Sequence, residues 1–413
     1  TAWGLWRGEV PATAWISVYA ALLSSTLLYH LTGLVAGTVV KNRRWAFLVS
    51  IAIVFGLYTV VPQAAKFGLT TFKYFTIWPV FEEQMGHFLP HTAGRLFRRM
   101  QDWTAEARFF GLSFSELVFT LFAQVGLILT FGVMLWRRWR QSEAHVLGKV
   151  WAAGLMIWTQ VMLLGNALPL IAPGHLFPSR EFRSRLFSAQ GWRPSISEGM
   201  SMIGLYGLVA LVLVVVLTSL ITPSLDTQIR GRRRAHKLGL RRPPWFSDAA
   251  TSFGFVVVMA LTAAAGWYLF ARALITSSWY AGAILAPHTA ATFALVMLSA
   301  TLVFHALLET WGWRQVFLAI VFAGVAPLMV GVTLLAASNR MLTAGIWILS
   351  ISPLASPILA SQTVLPTVDL PLAASYAIPH AFWFWQALIA LAAAGLVHRL
   401  WNHHRQSRLP NAE

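Results

Sequence analysis

The chain has 413 residues, of which 57 % are apolar and 11 % charged, with a formal charge of +17 and no cysteine. Globular domains carry about 25 % charged residues, so a water-facing skin is excluded for much of this chain and lipid takes its place. The missing cysteine excludes disulfides, thiolate metal sites and Cys nucleophiles, and the basic residues sit in short runs beside apolar segments, which marks topology rather than nucleic-acid contact.

A helix needs roughly 20 apolar residues to cross the hydrocarbon. In chain order the predicted spans are residues 13–40, 45–62, 113–136, 147–172, 200–222, 251–276, 281–308, 316–337 and 376–401. Ahead of them, residues 1–11 lack the basic start and apolar run of a signal peptide. Two more stretches are apolar but broken: 67–90, which contains Pro79, and 341–371, with Pro353, Pro357, Pro366 and Pro371. Proline removes a backbone donor and kinks a helix. Such a segment re-enters the membrane only where protein covers it. The expected fold class is therefore all-α, a polytopic transmembrane helical bundle of about nine spans plus two re-entrant segments. The 20 Trp residues fit interfacial belts.

Lys and Arg set the orientation. The runs 41–44, 137–140 and 230–242 are the strongest, and an even number of spans separates each from the next. Placed in the cytoplasm, they put the N-terminal side outside. The tail with Arg399, Arg405 and Arg408 is then cytoplasmic only if 341–371 turns back without crossing. The link 63–112 opposes the rule, with six Lys/Arg against four Asp/Glu on the outside. It is long, and long loops obey the rule less strictly.

The chain also echoes itself. RRWAFLVSIAIVFG (43–56) is matched by WRQVFLAIVFAG (313–324), and YFTIWPV (74–80) by ILSISPL (348–354). Each copy reads span, short inner link, span, broken segment, span, in the same orientation.

This order resembles the membrane permease subunit of type-2 ABC exporters. The resemblance implies six spans, an amphipathic helix before the first, a cytoplasmic coupling loop after the second and re-entrant helices before the last. RRWRQSEAHVLGKV (137–150) looks like the amphipathic helix, TPSLDTQIRGRRRAHKLGLRRPP (222–244) like the coupling loop, and ISPLASP (351–357) like the re-entrant turn. Residues 137–413 then form a full six-span module. Residues 1–136 form a partial module of three spans and a re-entrant segment. Typical members carry one module per chain, so the fusion is a departure. The implied function is that of an ATP-driven export permease coupled to a separate cytoplasmic ATP-binding subunit, in a bacterial inner membrane with the C-terminus cytoplasmic. Arg230, Arg232, Arg233, Arg234 and Lys237 are the candidate ATPase-coupling residues; Pro79, Pro353 and Pro357 are the candidate gate. The chain has no G-x-x-x-x-G-K-[ST] phosphate loop, which agrees with a transport subunit that has no ATP site of its own. Expected partners are that ATPase subunit, membrane lipids and further membrane subunits, and no nucleic acid. No catalytic residue, cofactor or metal ligand is expected.

Other readings rest on the remaining polar residues. His30, His288, His305 and His380 lie in or near spans; the plainest role is a hydrogen bond to a neighbouring helix, and proton transfer or ligation of a haem is the sharper one. Glu83, His87 and His91 are spaced four apart, so a helix would align them as zinc ligands with Glu82 as base. Pro90 opposes that arrangement, and a polar surface helix is the reading adopted. Glu143 and Glu309 are expected to pair locally, with Arg138 or Arg314. Arg272, Trp279 and Tyr280 read as an interfacial anchor, Asn166 as an interhelical hydrogen-bond donor, and 175–198 as an amphipathic outer hairpin. The rival functions are a non-catalytic scaffold in a larger membrane assembly and a membrane-embedded metal hydrolase.

Overall fold

In a computed structural model of the chain, the described residues are 12–40, 42–62, 69–88, 107–110, 112–140, 145–171, 196–240, 243–276, 285, 287–310, 324–337, 342–357, 359–360, 381, 383–388, 390–391 and 394–395. They divide into two compact units. The first lies within Thr1–Leu147, Ile157–Ser195 and Thr276–Tyr280, the second within Gly148–Met156, Ile196–Ile275 and Ala281–Glu413. Among the described residues, six helices are long and apolar enough to cross a membrane: Ala12–Thr38, Glu116–Arg140, Lys149–Ala167, Met202–Ile221, Phe253–Ile275 and Thr289–Glu309. Each coincides with an expected span, and the chain is a helical membrane protein. Of the other expected spans, 45–62 holds a shorter apolar helix. Residues 316–337 are described only from 324, and 376–401 only in pieces.

In the first unit, α1 (Ala12–Val39) and α2 (Arg43–Phe55) form a hairpin. Asn42 caps α2 by accepting from the Arg44 N–H at 3.0 Å. The Ser50 hydroxyl donates to the Gly33 carbonyl at 3.2 Å. Further along, the Tyr29 and Tyr58 rings meet edge-on at 6.1 Å. Contacts taken in opposite order along the two helices make them antiparallel. The polarity of α1 is inverted relative to a soluble helix. Its buried seam is Ala21, Ser24, Ser25, Thr32 and Ala36 with Leu28, while Ile16, Leu22, Leu23 and Leu27 are exposed. Small and hydroxyl residues at the contact, with leucines outside, are the packing of a helix whose solvent is lipid.

A 3-10 segment, Thr70–Phe75, and α3 (Trp78–Phe88) follow. A short hairpin then interrupts the helices: β1 (Ala107–Phe109) pairs antiparallel with β2 (Leu112–Phe114). Phe110 turns it in the left-handed region, at φ 49°. Phe109 lies so close to Gly165 that a Cβ there would fall 2.2 Å from its ring. The span expected from residue 113 therefore starts later, as α4 (Glu116–Arg140), with the Ser115 hydroxyl accepting from the Val118 N–H at 3.3 Å. The expected amphipathic helix over 137–150 is also different. Arg137–Arg140 extend α4, with Arg140 over the Trp136 ring at 4.7 Å, and residues 145–148 are not helical. The next helix, α5 (Lys149–Ile171), starts only at Lys149.

The second unit holds α6 (Ile196–Ile221), α7 (Leu225–Lys237), α8 (Phe253–Thr276), α9 (Pro287–Thr310), α10 (Ala326–Ala337) and α11 (Leu342–Ile351). Aromatic stacking joins the long helices: Tyr206 of α6 lies on Phe270 of α8 at 4.7 Å, and Trp267 of α8 on Phe293 of α9 at 4.1 Å. The short helices α10 and α11 form an antiparallel hairpin. Gly331 faces Leu349 and Gly345, while Gly324 faces Leu354 and accepts from the Ser352 hydroxyl at 2.7 Å.

Candidate functional site

The coupling-loop residues lie on α7, a helix whose sequence defines both its ends. Ser224 is the N-cap, accepting from the Thr227 N–H at 3.4 Å. Asp226 in the first turn and Arg234, His236 and Lys237 in the last match the helix dipole. Gly239 ends it at φ +72°; Leu240 N–H bonds the Ala235 carbonyl at 2.9 Å and Gly239 N–H the His236 carbonyl at 3.0 Å. These two bonds make a Schellman cap. Arg230, Arg232, Arg233, Arg234 and Lys237 are all exposed, so the structure brings the five predicted residues onto one helix.

The other side of α7 is tied down. Gln228 and Ala235 are buried, and a Cβ on Gly231 would fall 2.1 Å from that of Ala249. Gln228 Nε2 donates to Glu309 Oε1 on α9 at 2.8 Å and to the Pro223 carbonyl at 3.3 Å. Thr251 Oγ1 donates to the same Glu309 oxygen at 3.4 Å. His305, one turn before Glu309 and 2 % exposed, has Nδ1 3.0 Å from Thr222 Oγ1. Its Nε2 lies 3.4 Å from Glu309 Oε1, an electrostatic contact rather than an aligned hydrogen bond. The Ser252 hydroxyl donates to the Ile221 carbonyl at 2.6 Å, joining the start of α8 to the end of α6.

Lys149 completes the cluster. Its ammonium group donates to the carbonyls of Ser247, Ala250 and Thr251 at 2.6, 2.5 and 3.5 Å, and the residue is 1 % exposed. Three donors meet three acceptors, so the loop that follows α7 is held as firmly as α7 itself. What this arrangement does is mechanical. A charged helix is fixed to α9 through a charge-assisted hydrogen bond, and it exposes five cationic residues.

The chain matches no family model, no curated protein and no solved structure.

The remaining predicted residues are placed as follows. Pro79 is buried near the start of α3; Pro353 is half-buried and Pro357 buried, after α11. Pro357 packs on α6, where a Cβ on Gly207 would fall 2.8 Å from the proline Cβ. His305 and Glu309 meet in the cluster, while His30 is exposed on α1. His288 lies on α9 and Glu82 and His87 on α3, with side chains outside the described set; Glu83 on α3 is half-buried. His91, Glu143, Trp279, Tyr280, Arg314, Pro366, Pro371, His380, and nearly all of 175–198 fall outside the described residues. Arg272 is exposed near the end of α8. Asn166 donates to Thr71 Oγ1 at 2.8 Å, reaching the 3-10 segment. Among the described residues no three His, Asp or Glu side chains converge on a metal position.

Lys149, Gln228 and Thr222 carry no motif and were not singled out from sequence. Lys149 had a signal: it is a lone lysine opening an apolar run, just where a helix begins. A largely buried ion pair lies in the first unit. Lys73 Nζ is 3.0 Å from Glu116 Oε1 and 4.7 Å from the Tyr74 ring.

Proposed function

We propose that the chain is the membrane-spanning permease subunit of an ATP-driven, ABC-type exporter, and that α7 receives the stroke of a separate cytoplasmic ATP-binding subunit. One observation carries the reading: α7 carries five exposed cationic residues and is bonded, through Gln228, to Glu309 of α9. A load on the outer face of α7 then moves α9, a span-length helix, rather than a loose loop. The gate would be made by the broken segments. At 1.5 Å per residue the 10 residues of α11 rise about 15 Å, half of a hydrocarbon core of about 30 Å. A helix that short reaches mid-membrane and must turn back, which Pro353 and Pro357 favour. On this reading the chain has nine spans and two re-entrant segments, in a bacterial inner membrane with its C-terminus cytoplasmic.

The test is co-purification with an ATPase subunit encoded beside this chain, followed by ATP-dependent transport in vesicles. Reversing Arg232, Arg233 and Arg234 to Glu is expected to abolish the association while leaving the chain folded in detergent. A triple variant that keeps its ATPase partner and its transport rate overturns the role of α7. Isolation with other membrane proteins and never with an ATPase overturns the exporter reading.

A further inference from the structure

The second unit buries a histidine whose ring hydrogens the exporter reading does not use. His305 is 2 % exposed on α9, within a span-length helix. Its Nδ1 lies 3.0 Å from Thr222 Oγ1. A threonine hydroxyl has one hydrogen, and Thr222 gives it to the Thr218 carbonyl at 2.7 Å. The hydrogen between Nδ1 and Thr222 therefore belongs to the ring. In a neutral imidazole a protonated Nδ1 leaves Nε2 as a bare acceptor. That Nε2 is buried without a hydrogen-bond partner, 3.4 Å from Glu309 Oε1. Glu309 Oε1 is an acceptor as well, taking Gln228 at 2.8 Å and Thr251 at 3.4 Å.

Two acceptors that close, and away from water, lack the hydrogen that would join them, whereas buried polar atoms are nearly always paired. We infer that His305 Nε2 and Glu309 Oε1 form a proton-binding site: one proton taken from the medium is held between them, and the pair passes from anionic to net neutral. A proton needs no cavity. The gap exceeds an N–H···O bond of about 2.9–3.0 Å by about half an ångström, which a small turn of the carboxylate removes. The Glu309 side chain, 11 % exposed, is the route by which the proton exchanges with water. Lys149 on α5 is a cation whose charge reaches His305, and Asp248, after α7, is an anion whose charge reaches Lys149. Thr222, Gln228 and Thr251 meet the pair with neutral groups. Because Glu309 also holds Gln228, the proton sits on the joint between α7 and α9. The site is independent of the exporter reading.

Nitrogen-15 NMR of the full chain in nanodiscs, with labelled histidine, tests this; the His305 signals are those lost in His305→Gln. Ring nitrogen shifts report which atom carries hydrogen. At alkaline pH Nδ1 is expected to be protonated and Nε2 bare, and a proton on Nε2 alone overturns the inference. As the pH falls, the Nε2 resonance is expected to move in one step while the chain stays folded. A resonance that does not move overturns the inference. Glu309→Gln keeps an acceptor for Gln228 and Thr251 but has no carboxylate. It is expected to shift the midpoint of that step by at least tenfold in proton concentration, and an unchanged midpoint overturns the site. The first two readings use the unsubstituted chain, so they decide the question even if Glu309→Gln does not fold.

Discussion

Among the described residues, the first unit ends a helical segment before Pro79 with two carbonyls taken by side chains from other elements, and the second unit ends one before Pro353 with a single such bond. The local construction is shared. Thr76 Oγ1 donates to the Lys73 carbonyl at 2.8 Å, and Ser350 Oγ to the Trp347 carbonyl at 2.7 Å, each three residues back and each three residues before the proline. Helical backbone restarts directly afterwards, with Phe81 N–H bonded to the Ile77 carbonyl and Ser356 N–H to that of Ser352. Proline is tolerated there because first-turn N–H groups have no helical partner. What differs is the external cap. Gln124 bonds the Tyr74 carbonyl and Tyr29 OH the Phe75 carbonyl at 2.9 Å, whereas Trp385 Nε1 reaches the Ser350 carbonyl at 3.4 Å. A break in apolar surroundings needs donors from neighbouring elements, and among the described residues the first unit supplies more of them, with an ion pair alongside.

The comparison is broken most severely by Lys73→Met. It leaves the Glu116 carboxylate buried without its counter-charge and is expected to cost about 3–5 kcal/mol, read as a fall in the thermal midpoint in detergent. Adding Glu116→Gln should restore most of that loss; a double variant no better than Lys73→Met would show that the two charges are not coupled. Gln124→Leu is next. It strips the Tyr74 carbonyl of its donor, and a loss of about 1–3 kcal/mol is expected, with faster amide exchange around Thr76. The smallest hydrogen-bond effect is expected for Trp385→Phe, which keeps an aromatic side chain and removes one long bond, at about 0.5–1 kcal/mol beside the packing loss of the smaller ring. Should Trp385→Phe prove more damaging than Gln124→Leu, the ranking of the two breaks is wrong.

Hydropathy and length act locally, which is why the six long spans and both proline breaks were legible in the sequence. The boundaries were less so. Arg137–Arg140 read as a separate surface helix because charge normally ends a span, yet nothing between Glu116 and Arg140 interrupts the helical backbone. The hairpin at Ala107–Phe114 carries no Asn-Gly or Asp-Gly turn, so no local signal announces it; Phe109 finds its place against Gly165, which no local window contains. The candidate site was half legible. The cationic face of α7 follows from Arg230, Arg232, Arg233, Arg234 and Lys237 as written. Its anchored face depends on Gln228 meeting Glu309, 81 residues away, and on Lys149 meeting carbonyls about a hundred residues on. Backbone acceptors have no sequence signature at all.

The inverted polarity of α1 separates the side chains that meet lipid from those that hold the helix in place. Ile16, Leu22, Leu23 and Leu27 contribute little to the contact seam of Ser24, Ser25, Leu28 and Thr32. A water-soluble redesign of this helix would therefore recolour only the leucine side with Glu and Lys. The serine and threonine seam, which looks like the natural place to begin from composition alone, is the part to leave untouched.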